Sequence, residues 1–301
     1  MDIYPWIEKR ISSINLDKIS HALIIEGQEG IGKNQLCFYL INELLIGSNS
    51  KNLIKNNSHP DLFLVNTSSL TSFYEKKNKS FSKNIPIELI REAINFISLK
   101  SALSKNKVLF IDNAENLTIS SQNALLKTLE EPPDDTFIII QSNRFKCLNQ
   151  TIYSRCELIH FNNLSQNEIL NWAENILDDK NDKHLIPNFM TPKKVSQLVQ
   201  DGSFENLRQL NMSLESLFSK GVDGNKINNI IDLNMDFSEK LNYIIDYALS
   251  LLKKGSSSIH PVHLSDYIEQ LSDFRQNLFE INTLNQKYSL NHLLLKIPVN
   301  S

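Results

Sequence analysis

Two short stretches of this sequence carry residue types whose spacing can do chemistry. Residues 27–34 read GQEGIGKN. Gly27, Gly30 and Gly32 permit a tight backbone, and Lys33 adds a long cation. Between a strand and a helix, such a loop cradles phosphates with its N–H groups and the helix N-terminus, while Lys33 reaches the β and γ oxygens. Its last position departs from the pattern: a Ser or Thr hydroxyl is wanted there for Mg²⁺, and Asn34 offers an amide, a poorer ligand for a hard cation. The second stretch is VLFIDNAE, residues 108–115. Asp112, at a strand end, is placed to hold Mg²⁺ through water. The next position, where a glutamate would polarise the attacking water, is Asn113, whose amide cannot accept a proton at neutral pH. Glu115 lies two residues further on and would need a different geometry. Gly27, Gly30, Gly32, Lys33, Asn34 and Asp112 are therefore read as a degenerate nucleotide site. ATP or ADP is its candidate ligand rather than a required cofactor, no resident metal is expected, and no turnover is expected. The alternative reading is a glycine-rich turn that binds no nucleotide.

The elements that must position these residues alternate over the first 160 residues. HALIIEG (21–27), DLFLVN (61–66), KVLFID (107–112), TFIIIQS (136–142) and CELIHF (156–161) are short apolar strands. Helices are predicted from Lys33 to about Ile46, from Pro86 to Lys100, and from near Ser120 to a stop at Pro132-Pro133. The stretch between the second strand and Pro86, rich in Ser, Lys and Asn, reads as a loop. Continuous apolar strands separated by helices predict a five-stranded parallel sheet covered on both faces. Beyond Phe161 the pattern is helical only. Ser165 with Glu168 reads as a capping box for a helix to about Leu177, followed by helices at 191–201, 205–219, 236–253, 260–280 and 284–297. Leu241, Ile244, Ile245, Ala248, Leu251 and Leu252 form the clearest stripe. The fold class expected is α/β followed by all-α.

Composition narrows the function classes. In 301 residues, 31 Lys and Arg stand against 34 Asp and Glu, a net charge of −3, which gives no electrostatic case for strong unaided DNA binding. Hydrophobic residues at 41% and charged residues at 22% are those of an ordinary globular protein. No apolar run approaches the ~20 residues of a membrane span, and the first residues, MDIYPWIEKR, hold no hydrophobic signal core. The three cysteines, Cys37, Cys147 and Cys156, are widely spaced and suit a reducing cytoplasm. Asn is abundant throughout and is discounted here as a helix-cap signal.

Together with the phosphate loop, HPD at 59–61, IDNAENLTISSQNALLKTLEEPP at 111–133 and SRC at 154–156 resemble the clamp-loader AAA+ family. Within it the chain is most similar to the delta-prime branch of bacterial DNA polymerase III. The resemblance runs from YPW (4–6) to INTLNQKYSLNHLLLKI (281–297). It implies a RecA-like AAA+ P-loop domain over 1–162, a helical lid over 163–210 and a helical collar domain for oligomerisation over 211–301. It also implies a non-hydrolysing subunit of the complex that loads the sliding clamp onto primed DNA, partnered by tau/gamma and delta subunits, with no membrane contact. Arg155 of SRC is then an arginine finger directed at a neighbour's γ-phosphate, for which a permanently charged planar fork is suited. The alternative for Arg155 is packing or a local salt bridge at the start of the fifth strand. Cys156 is expected to be a small buried residue rather than a nucleophile. Glu205 stands where a sensor arginine often sits in the family, a further departure from hydrolysis. LIGSNSKNLIKNNSHPD lacks the four cysteines of a zinc module, so no zinc is expected. Glu130 and Glu131 lie at a helix C-terminus, unfavourable to the dipole, and mark either a contact elsewhere or a solvated helix end. Two other readings are an ATP-hydrolysing motor subunit that tolerates Asn34 and Asn113, and an unrelated P-loop DNA-repair ATPase.

Overall fold

The computed structural model describes residues 3–45, 50–161, 164–255, 259–277 and 283–298. Its contacts divide the chain into two compact units, 1–165 and 166–301.

The first unit is an α/β layer structure. Its strands are β1 (Ala22–Gly27), β2 (Leu62–Val65), β3 (Lys107–Ile111), β4 (Thr136–Ser142) and β5 (Glu157–Phe161). They pair in parallel in the order β2-β3-β4-β1-β5. Every residue of β1 and of β3 is buried, as strands covered on both faces require, whereas edge strand β5 exposes Glu157, Leu158 and His160. The helices are α1 (Pro5–Ser13), α2 (Lys33–Leu44), α3 (Ser50–Lys55), α4 (Thr67–Lys76), α5 (Ile87–Ile97), α6 (Ile119–Glu130) and α7 (Gln150–Tyr153). Leu89, Ile90, Ala93 and Ile97 of α5 and Leu125 and Leu129 of α6 join Ile24, Leu109, Ile111, Ile138 and Ile140 in one apolar core. Each such Leu or Ile side chain contributes about 1.5–3 kcal/mol by leaving water.

The expected strands are all present, and α2, α5 and α6 fall where helices were predicted. The end predicted for α2, Ile46, lies outside the described residues. The stretch read as a loop between β2 and Pro86 contains α4. Its N-cap is Asn66, whose side chain accepts the Ser69 N–H at 3.0 Å while the Ser69 hydroxyl accepts the Asn66 N–H at 2.9 Å. Discounting Asn as a cap concealed this helix.

The second unit is helical: α8 (Gln166–Ala173), α9 (Pro192–Gln200), α10 (Phe204–Lys220), α11 (Gly224–Asp232), α12 (Phe237–Lys254), α13 (Pro261–Gln276) and α14 (Thr283–Leu295). The boundary expected at 162/163 lies outside the described residues. The lid-to-collar boundary expected at 210/211 falls inside α10. Leu207 and Leu210 before it, and Leu214 and Leu217 after it, are buried in one apolar core that runs from Ala173 to Ile297. Position 278–280 of the predicted 260–280 helix lies outside the described residues. No helix among the described residues is long and apolar enough to cross a membrane.

Candidate functional site

Because the sheet is parallel, the ends of β1, β3 and β4 converge on one edge, where the sequence placed its chemistry. The phosphate loop leaves β1 at Gly27 and enters α2 at Lys33. Gly30 and Gly32 adopt φ of 79° and 99°, the left-handed region that favours glycine. Gly32 is also closed in: an added Cβ would lie 2.5 Å from Tyr4 Cδ2. Tyr4 and Trp6 stack at 5.0 Å, the Trp6 indole N–H donates to the Ile31 carbonyl at 2.7 Å, and the Tyr4 N–H donates to Gln35 Oε1 at 3.0 Å. The segment around YPW thus braces the loop from its own chain.

Lys33 is almost wholly buried. Its ammonium donates to the carbonyls of Gly27 (2.9 Å) and Gln28 (2.7 Å) and to Asn143 Oδ1 (2.9 Å). Burial pushes its pKa down to about 8, against the pull of nearby Cys37, Glu115, Glu29 and Asp112. Asp112 follows β3 and accepts from Gln141 Nε2 at 3.0 Å. Burial, aided by the charges of Glu115 and Glu29, moves its carboxyl above the usual carboxylate range. The Cys37 thiol donates to Gln141 Oε1 at 3.1 Å, and burial pushes that thiol up.

Asn113, in the left-handed region at φ 55°, accepts from Asn143 Nδ2 at 2.7 Å. Glu115, the acid two residues further on, is committed elsewhere. One oxygen accepts the Ser142 hydroxyl and the Asn143 backbone N–H, both at 3.1 Å, and the other accepts Asn143 Nδ2 at 3.1 Å. Asn143, directly after β4, therefore joins Lys33, Asn113 and Glu115, a hub that sequence reasoning missed. Its only signal was a polar Gln-Ser-Asn ending an apolar strand. Gln141 was missed in the same way. The loop geometry fits a phosphate. The donors that a metal-assisted hydrolysis uses are altered here: Asn34 is an exposed amide, and Glu115 is held by the end of β4. Among the described residues, no cluster of His, Cys, Asp or Glu could hold a metal ion.

Arg155 is not brought to this site. It precedes β5, and the register pairs Leu23 with Glu157 and Gly27 with Phe161. Four strand residues, about 13 Å at ~3.3 Å each, separate the level of Arg155's end of β5 from the phosphate loop. Its guanidinium lies against Glu130, the last residue of α6, with Nε donating to Oε1 at 2.8 Å and Nη2 to the same oxygen. Nη1 donates to the Thr151 carbonyl at 2.7 Å and to Ser154 Oγ at 3.2 Å. The local salt bridge weighed as an alternative is thus present, and it explains the acid at the end of α6. Cys156, part-buried, has its thiol pushed up to about 12 by burial, which leaves no thiolate to act as nucleophile.

The HPD residues organise a loop. Asp61 accepts the N–H groups of Ala102 (2.6 Å), Leu103 (2.8 Å) and Ser104 (2.7 Å). Burial pushes its carboxyl up, and these three bonds outweigh it and leave it lowered. In the helical unit, Glu205 accepts from Arg208, which also pairs with Asp182.

The sequence model of the family described as DNA polymerase III, delta subunit, matches residues 6–165, more than half of the chain. The chain belongs to the DNA polymerase III delta-prime family. Among delta-prime relatives, DNA polymerase III subunit delta' of Buchnera aphidicola subsp. Schizaphis graminum is 30% identical over 211 residues, 65% of this chain and 59% of its own length. That of Haemophilus influenzae is 26% identical over 219 residues, 67% of this chain and 63% of its own. The chain thus spans less than two thirds of the length of these relatives. A solved structure, the DNA polymerase III gamma subunit-related protein of Thermotoga maritima, superposes with a TM-score of 0.56 at 15% identity, covering 96% of this chain and 98% of its own. That likeness shows a shared fold.

Proposed function

We propose that this delta-prime-family chain is a non-hydrolysing subunit of the DNA polymerase III clamp loader, and that Arg155 acts in trans on a neighbouring motor subunit. The observation that carries the proposal is the position of Arg155. It sits at the amino-terminal end of β5, while Gly27 and Lys33 sit at the carboxyl end of adjacent β1. An arginine side chain does not span that distance, so any phosphate it meets belongs to another chain. Its side chain is 29% exposed and its partner Glu130 is 50% exposed, so the pair lies where a second protein can reach it.

The chain's own site supports the other half of the proposal. Asn113 replaces the water-activating acid, and the nearest substitute, Glu115, spends both oxygens on Ser142 and Asn143. The phosphate loop keeps its lysine and its glycines, so ATP or ADP remains a candidate ligand with a structural role. Neither nucleotide nor zinc is required by the proposed activity. The partners are tau/gamma and delta subunits, with the sliding clamp and primed DNA engaged through the complex in the cytoplasm. Residues 163–210 and 211–301 are assigned as lid and collar by the same proposal.

The test uses the full-length chain. It should co-purify with tau/gamma and delta, and on its own should turn over no ATP above a Lys33→Ala control. Lys33-dependent turnover by the purified chain would favour the motor-subunit reading. Failure to enter the complex would sink the assignment.

A further inference from the structure

Glu26 is fully buried in β1, one residue before Gly27, in a strand otherwise built from Ala22, Leu23, Ile24 and Ile25. A carboxylate in that position is costly unless it is hydrogen-bonded. Oε2 accepts the Tyr153 hydroxyl at 2.8 Å and the Lys146 backbone N–H at 3.3 Å, and Oε1 lies 3.1 Å from His160 Nδ1. Burial, and then the bond to Glu26, raise the Tyr153 pKa, so the phenol keeps its proton and donates it. The chemistry at Lys33 and Asp112 makes no use of these groups.

What the network does hold is the turn that carries Arg155. Tyr153 ends α7, and Arg155 follows after one residue. A single helical turn does not sustain itself and takes its position from its surroundings. At its start, the Asn149 N–H donates to Gln122 Oε1 at 2.8 Å; in its middle, Ile152 is buried in the core; at its end, Tyr153 reaches Glu26. The Arg155 N–H in turn donates to the Ile152 carbonyl at 3.1 Å.

We propose that Tyr153 and Glu26 are positioning residues for Arg155: the carboxylate in β1 fixes the phenol, and the phenol fixes the turn from which the guanidinium is presented. This rests on the reading of Arg155 as a group acting on a neighbour. It also hangs the arginine turn and the chain's own phosphate loop on one strand, since Glu26 and Gly27 are adjacent.

The test reconstitutes the complex with full-length chain carrying Tyr153→Phe, Arg155→Ala, or both, and measures kcat and KM for ATP hydrolysis by the motor subunits. Thermal melting of each chain and its incorporation are followed alongside. Misplacing a reacting group by about 1 Å can cost up to about 10²-fold in rate. Tyr153→Phe should therefore slow the one site that Arg155 serves, lowering total kcat by up to that site's share with KM unchanged, and should lower it no further in the Arg155→Ala background. Wild-type kcat for Tyr153→Phe where Arg155→Ala is impaired overturns the positioning role alone. No effect of Arg155→Ala overturns the reading it rests on. Equal losses in both backgrounds show that Tyr153 acts by another route and overturn the proposal too. Should Tyr153→Phe fold poorly, Glu26→Gln/Tyr153→Phe removes the orphaned charge. The same kcat loss is expected of it, and wild-type kcat there is equally fatal.

Discussion

Gly32→Ala tests how firmly the phosphate loop is fixed by its own chain. The backbone there has φ of 99°, where a Cβ costs about 1–2 kcal/mol. The new methyl would lie 2.5 and 3.0 Å from Tyr4 Cδ2 and Cε2 and 3.2 Å from Ile7 Cγ1. Tyr4 is 3% exposed and Ile7 is fully buried, so neither has free space to move into. Overpacking of a closed site costs about 1–3 kcal/mol, and the two effects together come to about 2–5 kcal/mol. For a unit of this size that is a fall in Tm of roughly 4–20 °C. The measurement is urea and thermal unfolding followed by Trp6 fluorescence in a Trp172→Phe background, so that the signal reports the α/β unit. In a Tyr4→Ala background the cost of the same substitution should fall toward the backbone part, about 1–2 kcal/mol, with only the 3.2 Å approach to Ile7 Cγ1 remaining. Equal costs in the two backgrounds, or a cost below about 1 kcal/mol with Tyr4 present, would refute the claim that the aromatic pair braces the loop.

Asp112→Asn should raise the Tm at pH 7, because burial disfavours the carboxylate and Gln141 Nε2 can still donate to the amide oxygen. A folded pKa above the unfolded value means stability lost as pH rises, so the gain should shrink toward pH 4 in a pH series of melting curves. Lys33 has the opposite consequence. Its folded pKa of about 8 lies below the unfolded 10.5, so the unfolded chain binds more protons in that window and wild type should gain stability from pH 8 to 10 relative to Lys33→Met, read by urea midpoints. Glu130→Ala should cost less than about 1 kcal/mol in chemical unfolding, since the Arg155 pair is half exposed at its acid.

The strands were legible because a parallel sheet covered on both faces demands apolar runs, and ALII, VLFI and FIII supply them within β1, β3 and β4. The phosphate loop was legible because glycines and lysine at fixed spacing have few other uses. What escaped was carried by topology. Arg155 and Glu130 stand 25 residues apart, and only the packing of α6 beside the β5 turn brings them together. Asn143 reads as one more Asn in an Asn-rich chain, yet the parallel pairing of β4 with β1 and β3 sets it between Lys33 and Glu115. The helix α4 was hidden for the same compositional reason, its cap being Asn66. The boundary placed at 210/211 falls inside α10, whose buried stripe runs across it, so helical spacing alone carries no signal of a lid-to-collar division.

The central claim is that Arg155 serves a neighbour and not its own chain. The most direct measurement is DNA- and clamp-stimulated ATP turnover by the assembled complex containing Arg155→Ala, with assembly and melting of the variant chain checked in parallel. Arginine fingers are worth roughly 10³–10⁵ in rate at the site they serve. The site facing this chain should therefore fall nearly silent, while total turnover drops by that site's share. Arg155→Lys should not restore it, because a point charge lacks the planar fork. Unchanged turnover and clamp loading in a fully assembled Arg155→Ala complex, or a variant whose only defect is lowered stability rescued by Lys or Met, would contradict the account.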